Sequence, residues 1–468
     1  MGDLTAALCL LLTRAHFAGV PTTRALWSHV SFALDAAKEE LSPEDLERRV
    51  LKACLEHPLN STAPRDPKHI TDVLRWLMEA WRERDWPAPQ VLSSGILEET
   101  TDCPELCYKT YVGWGEGSTS LGNGGAEEEP ETAAPKGVTL LESSGGIVHH
   151  TTGLTTWGGA AVLANWVTDN PHLISGRRVL ELGAGVGFTS SVILTSFEGD
   201  LPPPEEYIAT DCHHHVLTLL RHNLELNLRE KPMERRELEV FQTTMGKLLV
   251  SEEVQPGQIL SWTPPSPYLR LSSGTPDQLT DVPDATWQNT TKRGTRVEVM
   301  QLDWRSPSRL PEVDVILAAD VVYAHHLIPP LVALIKSILS GTNPKTTKNR
   351  TRRKPRGKDT KEERKEEEIE AKVDMSADVG RETKEIVQNG DAFCNAAPDR
   401  VAYIACTRRS HETMSLFLEE VSKQGLAYSL VYQATLDTDT FLFLYNETHM
   451  PVKIYKLSLL GEDKAPSR

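Results

Sequence analysis

Val179-Leu180-Glu181-Leu182-Gly183-Ala184-Gly185-Val186-Gly187 reads as a strand that runs into a glycine turn and then a helix. Gly183 and Gly185 lack a Cβ, so the backbone can turn tightly there and press against a ligand, while Gly187 lets the helix pack close to the strand. Alone, such a turn serves many nucleotide-type cofactors, or only tight packing. Its neighbours narrow the choice. Glu181 ends the strand, where a carboxylate can sit near a bound cofactor. Asp211 follows the next strand, Tyr207-Ile208-Ala209-Thr210, placed to accept hydrogen bonds from two ribose hydroxyls. This acid arrives later than the usual interval of about twenty residues, because Glu198 to Glu206 lengthens the connection. Leu302-Asp303-Trp304 follows a third strand, where the Trp304 indole can stack on adenine and Asp303 can reach a ring amine. The other reading of Trp304 is an ordinary buried tryptophan.

A fourth strand, Val315-Ile316-Leu317-Ala318-Ala319, ends in Asp320-Val321-Val322-Tyr323. Ligands of open parallel sheets bind at the carboxyl ends of strands, so Asp320 and Tyr323 belong to the same crevice as the glycine turn. Such a pair suits an amine. A lysine amine, with a reference pKa of about 10.4, is protonated and unreactive in water. Burial in a pocket lowers that pKa, Asp320 can then orient the amine, and Tyr323 supplies an aromatic wall suited to an alkylated ammonium. Alternatively, Asp320 caps the helix that follows it.

These residues need a parallel sheet to bring them together. Strands are expected at Arg178–Leu182, Tyr207–Thr210, Arg296–Gln301, Val313–Ala318 and Val401–Cys406, with helices between them. Residues 1–112 read as a helical region, with apolar positions at helical spacing in Leu46-Val50-Leu51-Cys54-Leu55 and Val73-Leu74-Leu77-Met78-Trp81. Ser42-Pro43 starts one helix and His57-Pro58 ends it. The apolar run Leu4 to Leu12 is too short to span a bilayer and lacks the basic start of a leader, so it reads as a buried or amphipathic first helix. Residues 113–137 are a Gly, Ser and Glu linker, and 138–460 form the sheet domain. Two stretches, about 245–293 and 341–398, lack the apolar residues that offset ordering entropy and read as solvated insertions. The basic part of the second, Lys345 to Lys365, is expected to be a loop, with RNA contact or a nuclear signal as the alternative.

Composition closes off some classes. The net charge of −16 over 468 residues argues against general attraction to nucleic acid and fits a basic partner better. Seven scattered cysteines are poor material for a disulfide framework and suit a reducing compartment. Cys103, Cys107 and the run Cys212-His213-His214-His215 lack the paired doublets of a zinc site, so no metal is expected.

With these motifs on the page, the chain resembles the seven-strand lysine methyltransferases of methyltransferase family 16. The likeness is carried by Gly145-Gly146-Ile147, Thr151-Thr152-Gly153-Leu154-Thr155-Thr156-Trp157, the Glu-Leu-Gly-x-Gly-x-Gly turn at 181–187, Leu302-Asp303-Trp304 and Ala319-Asp320-Val321-Val322-Tyr323. A hydride-transferring dinucleotide enzyme would space its third glycine one residue further on. Within the family the branch acting on translation elongation factor 2 looks most similar, through the Thr-Thr-Gly-Leu-Thr-Thr-Trp run, Thr210-Asp211-Cys212-His213 and Glu56-His57-Pro58. The resemblance implies a Rossmann-like α/β fold with a helical N-terminal region and S-adenosylmethionine as cofactor. It also implies a cytoplasmic location and a lysine of elongation factor 2 as substrate. It places Trp157, Gly183, Ala184, Gly185, Asp211, Trp304 and Ala319 around the cofactor and makes Asp320 and Tyr323 the catalytic pair. Another protein substrate of the same chemistry, or a cofactor-binding scaffold without turnover, stays open at this point.

Overall fold

A computed structural model of the chain describes residues 2–22, 25–37, 41–87, 105–112, 137–143, 151–197, 200–251, 287–307, 310–342, 400–434 and 451–460. The N-terminal apolar stripes form four helices, α1 (Gly2–Phe17), α2 (Ala25–Ala37), α3 (Pro43–Ala53) and α4 (Pro67–Glu83). Their spaced apolar residues turn inward, among them Leu8, Leu12, Leu46, Val73, Leu77 and Trp81, all buried in one cluster. Ser42 caps α3 by accepting the Asp45 N–H at 3.1 Å, with Pro43 in the first turn where its missing N–H is not needed. The helical pattern does not reach residue 112. Leu106–Val112 is a strand, β1, paired antiparallel with β2 (Gly137–Ser143). Its Leu-Cys-Tyr-Lys-Thr-Tyr-Val sequence is rich in aromatic and β-branched residues that fit a pleated surface.

From residue 151 onward helices and strands alternate. They are α5 (Gly158–Asp169), β3 (Arg178–Leu182), α6 (Phe188–Ser196), β4 (Glu206–Asp211), α7 (His214–Leu228), α8 (Arg235–Ser251) and β5 (Trp287–Thr290), followed by β6 (Arg296–Gln301), β7 (Val315–Ala319), α9 (Ile328–Ser340), β8 (Val401–Thr407), α10 (His411–Lys423), β9 (Leu426–Gln433) and β10 (Val452–Leu459). The strand order is β5-β6-β4-β3-β7-β8-β10-β9. β6, β4, β3, β7 and β8 are parallel, and β10 enters antiparallel between β8 and β9. This is the expected seven-strand Rossmann-like sheet, with β5 added antiparallel at one edge.

The central strands are apolar on both faces because both are covered. Leu180, Leu182, Ile316, Ala318 and Ile404 pack under α9 and α10, whereas Val179, Tyr207, Val315, Leu317 and Ala405 pack under α5, α6 and α7. The chain builds β3, β4 and β6 outward on one side, then returns to build β7 and β8 on the other. That reversal beside β3 opens a crevice at the carboxyl ends of β3 and β7, where a ligand reaches backbone groups without breaking the sheet.

The N-terminal region is joined to this sheet through the hairpin. Asn223 and Asn227, one turn apart on α7, occupy the outer edge of β2 as a neighbouring strand would. Asn223 accepts the Leu141 N–H at 2.8 Å and donates to the Leu141 carbonyl at 3.1 Å; Asn227 does the same with Thr139 at 2.9 and 2.8 Å. The expected insertion at 245–293 is narrower at both ends. Met245 and Leu249 of α8 are buried and continue a helical stripe, and β5 pairs with β6 before residue 293. β9 and β10 were not among the expected strands. The linker 113–136, Gly145-Gly146-Ile147, residues 252–286 and 343–399, with Lys345 to Lys365, lie outside the described residues. Among the described residues no helix is long and apolar enough to cross a membrane, and no group of three or more His, Cys, Asp or Glu could hold a metal ion.

Candidate active site

Leu182 ends β3, and the next residues turn back through positive φ, with Gly183 at 66° and Gly185 at 56°. Side chains are rare in this region, and here space forbids one as well. A Cβ on Gly183 would lie 2.9 Å from Val321 Cγ1 and 3.3 Å from the Trp304 ring, and one on Gly185 would lie 3.3 Å from the Gly153 carbonyl oxygen. The turn is tied to β4 at three points. The Ala184 N–H donates to the Thr210 carbonyl at 2.8 Å, the Thr210 hydroxyl donates to the Glu181 carbonyl at 2.7 Å, and the Gly185 N–H donates to Asp211 Oδ2 at 3.3 Å. Asp211 also accepts the His213 N–H at 3.1 Å. Burial raises its pKa, and the backbone donors oppose that rise.

Glu181 is not on the crevice. It is 2% exposed, accepts the Tyr207 hydroxyl at 2.9 Å, and is also bonded by Thr189 and Ser190 at the start of α6. Burial pushes its pKa up to about 7 against these donors. The expected contact between this carboxylate and a cofactor is therefore replaced by a brace behind the turn, because alternation along β3 directs residue 181 into the covered face.

Beyond β6 the Leu302 N–H donates to the Asp211 carbonyl at 2.9 Å, so this strand end is locked to that of β4. Trp304 follows, partly buried, with its ring beside Gly183. Asp303 is gripped by Arg305 through Nε at 3.0 Å and Nη2 at 2.8 Å, a fork that lowers its pKa. Trp157 donates from Nε1 to the Thr152 carbonyl at 2.8 Å and lies under the Arg409 guanidinium at 4.4 Å. Ala319 is the partly exposed last residue of β7.

Asp320 has φ 53°, unusual for a side chain other than glycine, though Asp tolerates it better than most. Its N–H donates to the Ala405 carbonyl at 2.9 Å. The carboxylate accepts the Gly159 N–H at 2.8 Å, the Thr407 N–H at 2.8 Å and the Thr407 hydroxyl at 3.0 Å. Asp320 thus caps a helix, but α5, which precedes it by much of the domain, rather than the helix that follows. Trp157 at the N-cap offers no side-chain bond, so Asp320 satisfies an orphan donor and faces the positive end of the α5 dipole. Tyr323 is 44% exposed, and the Thr152 hydroxyl bonds to its phenol oxygen while burial raises its pKa. Gly183, Asp211, Trp304 and Asp320 consequently lie at the carboxyl ends of the neighbouring strands β3, β4, β6 and β7, with Trp304 and Val321 against Gly183.

Several residues of this arrangement were not singled out from the sequence. Gly159 must lack a side chain, since a Cβ there would fall 2.7 Å from Asp320 Oδ2. The Gly158-Gly159 pair opening an apolar helix was the available signal. Glu142, on β2 and 1% exposed, accepts from Tyr111 at 2.7 Å, Lys109 at 2.8 Å, and both the N–H and the hydroxyl of Thr156. A lone acid in an apolar strand was its signal. Thr407 and Arg409 carried none.

The sequence profile of methyltransferase family 16, described as lysine methyltransferase, matches residues 279–362. The bovine protein-lysine N-methyltransferase EEF2KMT is 26% identical over 93% of this chain and 93% of its own length. The chain is thus similar to lysine methyltransferases of this family. The human EEF2KMT is 33% identical to this chain over 42% of it and 52% of the human protein, and EFM3 from Chaetomium thermophilum is 27% identical over 44% and 61%. Among solved structures, a putative RNA methyltransferase from Pyrococcus horikoshii covers 64% of this chain and 84% of its own at 11% identity and a TM-score of 0.28. At that score it adds nothing to the strand order as evidence for the fold.

Proposed function

We propose that this methyltransferase moves a methyl group from S-adenosylmethionine to the Nζ of a lysine in translation elongation factor 2. The observation that supports the reading is the juxtaposition of the glycine turn, Asp211, Trp304 and Asp320 at the carboxyl ends of adjacent strands; the substrate rests on the names of the relatives. The residues present fit a nucleoside cofactor in their chemistry: an acid at the end of β4, an indole beside Gly183, and a tight positive-φ glycine turn closed to any Cβ by contacts with Val321, Trp304 and Gly153. Gly183, Ala184 and Gly185 would line its length, Asp211 would accept its ribose hydroxyls, Trp304 would stack on its base, and Trp157 and Ala319 would wall the crevice. Asp303, already held in place by Arg305, is oriented to read a ring amine. When bound, S-adenosylmethionine supplies an electrophilic methyl group.

The chain's own task is alignment. A carboxylate offers about four acceptor positions, and Asp320 has three filled. The fourth would hold the incoming lysine amine on a group that cannot swing away. Tyr323, anchored through Thr152, forms the aromatic side of the lysine channel. In this reading residues 138–460 are the catalytic domain, the region up to 112 serves the substrate, and the enzyme works in the cytoplasm with the translation machinery.

The test is transfer of labelled methyl to purified elongation factor 2. Asp320→Ala is expected to lower turnover by at least a hundredfold while calorimetry still detects S-adenosylmethionine binding. Unlabelled elongation factor 2 with the wild-type chain would reject the substrate, and an active Asp320→Ala would reject the role of Asp320.

A further inference from the structure

Two carboxylates hold the entrance to α5. Asp320 accepts the Gly159 N–H, and three residues earlier Glu142 accepts both the N–H of Thr156 at 2.9 Å and its hydroxyl at 2.5 Å. Trp157 lies between these two attachments. Glu142 belongs to β2 and is 1% exposed. Its other oxygen accepts the Tyr111 hydroxyl at 2.7 Å and Lys109 Nζ at 2.8 Å, so its roughly four acceptor positions are all filled. A buried carboxylate so fully bonded has no position left for a substrate and acts by holding its partners.

What it holds is the run 151–157, which reaches three parts of the candidate site. The Gly153 backbone lies against Asp211 and the glycine turn. A Cβ on Gly153 would fall 3.5 Å from Asp211 Oδ2, and one on Gly185 would fall 3.3 Å from the Gly153 carbonyl oxygen. Thr152 bonds to Tyr323 through its side chain, and its carbonyl accepts Trp157 Nε1 at 2.8 Å. The run is also attached to β2 by two neutral bonds, from the Ser143 N–H to the Leu154 carbonyl at 2.7 Å and from the Thr155 hydroxyl to the Ser143 carbonyl at 3.1 Å. The bonds to Glu142 are the charge-assisted ones, and such bonds are about twice as strong as neutral ones. β1 lies before residue 138, yet its Lys109 and Tyr111 reach the site through this acid. The Tyr111 ring also meets Phe188, the first residue of α6 after the glycine turn, edge-on at 4.9 Å.

We propose that Glu142 is a positioning residue for methyl transfer, setting the run 151–157 so that Gly153, Trp157 and Tyr323 meet the cofactor and the amine in register. This role rests on the methyl-transfer reading above, and it makes the hairpin of β1 and β2 part of the catalytic unit rather than only a link to the N-terminal helices.

The test separates cofactor affinity from stability in the full chain. Glu142→Gln leaves one acceptor oxygen and turns an NH2 group on either Thr156 or Lys109, which are both donors. Loss of one charged bond predicts a rise of about tenfold in the Kd for S-adenosylmethionine and a fall of about tenfold in kcat, with KM for elongation factor 2 moving less than about twofold. Thr156→Val, which loses only the hydroxyl bond, should move Kd and kcat in the same direction by less, and Thr156→Ser, which keeps both donors, should recover most of that loss. Asn227→Leu loosens β2 at Thr139 without touching the run 151–157 and is the control. It should lower the melting temperature while S-adenosylmethionine affinity stays within about twofold. Calorimetric affinities and kcat values in Glu142→Gln and Thr156→Val no different from those of Asn227→Leu would overturn the role, and Thr156→Val decides it if Glu142→Gln does not fold. If the wild-type chain binds S-adenosylmethionine but leaves elongation factor 2 unmethylated, the substrate proposal fails and the affinities alone decide the role of Glu142. A wild-type chain that binds no S-adenosylmethionine rejects both.

Discussion

A single carboxylate organises the crevice. Asp320 sits at φ 53° with three donors on its oxygens, two from the end of β8 and one from α5. The strain of a left-handed residue, on the order of 1 kcal/mol or more, persists only where surrounding bonds over-determine it, and such residues cluster at functional sites. Gly159 is the complement of this geometry. Gly159→Ala would force its Cβ against Asp320 Oδ2, and neither the backbone of α5 nor a carboxylate held by three donors can yield easily. The expected outcome is a fall in kcat of tenfold or more with S-adenosylmethionine affinity changed far less, measured by steady-state kinetics and calorimetry. Wild-type kcat in this variant would show that the carboxylate need not be held. The residues of the glycine turn, Asp211 and Asp320 were legible because each follows a strand at a fixed offset. Gly159 and Thr407 were not, for they meet Asp320 across 161 and 87 residues of chain.

At the scale of elements, the hairpin of β1 and β2 is joined to the domain by amides rather than by another strand. Asn223 is fully buried, and its side chain serves the Leu141 N–H and carbonyl and the Val186 carbonyl at 2.8 Å. Asn223→Leu would leave those backbone groups unpaired in the interior, at a cost of about 1–3 kcal/mol each where nothing replaces the bond. A drop in unfolding free energy of at least about 3 kcal/mol is expected from denaturant titration, against about 1 kcal/mol for Asn227→Leu, whose site is more exposed and open to water. Equal losses would mean that the two amides do not differ in this way. The parallel strands were readable as short buried runs between helices. β1 was absorbed into the helical region because its partner lies beyond residues 113–136, and strand pairing at that distance leaves no local period.

For the molecule as a whole, pH should act through buried histidines. Burial pushes His16 to about 3, His69 to about 4 and His222 to about 3, all below the ordinary value of about 6.5. The folded state therefore binds fewer protons than the unfolded chain between about pH 4 and 6.5, and stability is lost as pH falls through that window. Three groups give a slope of up to about 4 kcal/mol per pH unit. Glu181 acts in the opposite sense, since its folded pKa of about 7 lies above its unfolded value and its contribution fades as pH rises through 7. Thermal unfolding from pH 7 to 5 should show the net loss, and His222→Phe should reduce its slope by about half, because one of three groups is removed while Glu181 already offsets another. An unchanged slope would place the acid sensitivity elsewhere. All three histidines pack around β1, so the N-terminal region is expected to loosen first.

The sequence by itself determined what depends on local order: the alternation of strands and helices, the glycine turn, the acids that follow strands, and the cap of α3. Each is set by residues within a few positions of one another, where backbone sterics and spacing act directly. The tertiary structure alone decided that Glu181 faces away from the crevice, that Asp320 holds α5 to β8, that two asparagines stand in for a strand, and that the His16 ring is buried with neither nitrogen bonded. Those outcomes depend on which faces meet after the chain has folded, and no spacing along the sequence encodes the distance between groups on different elements.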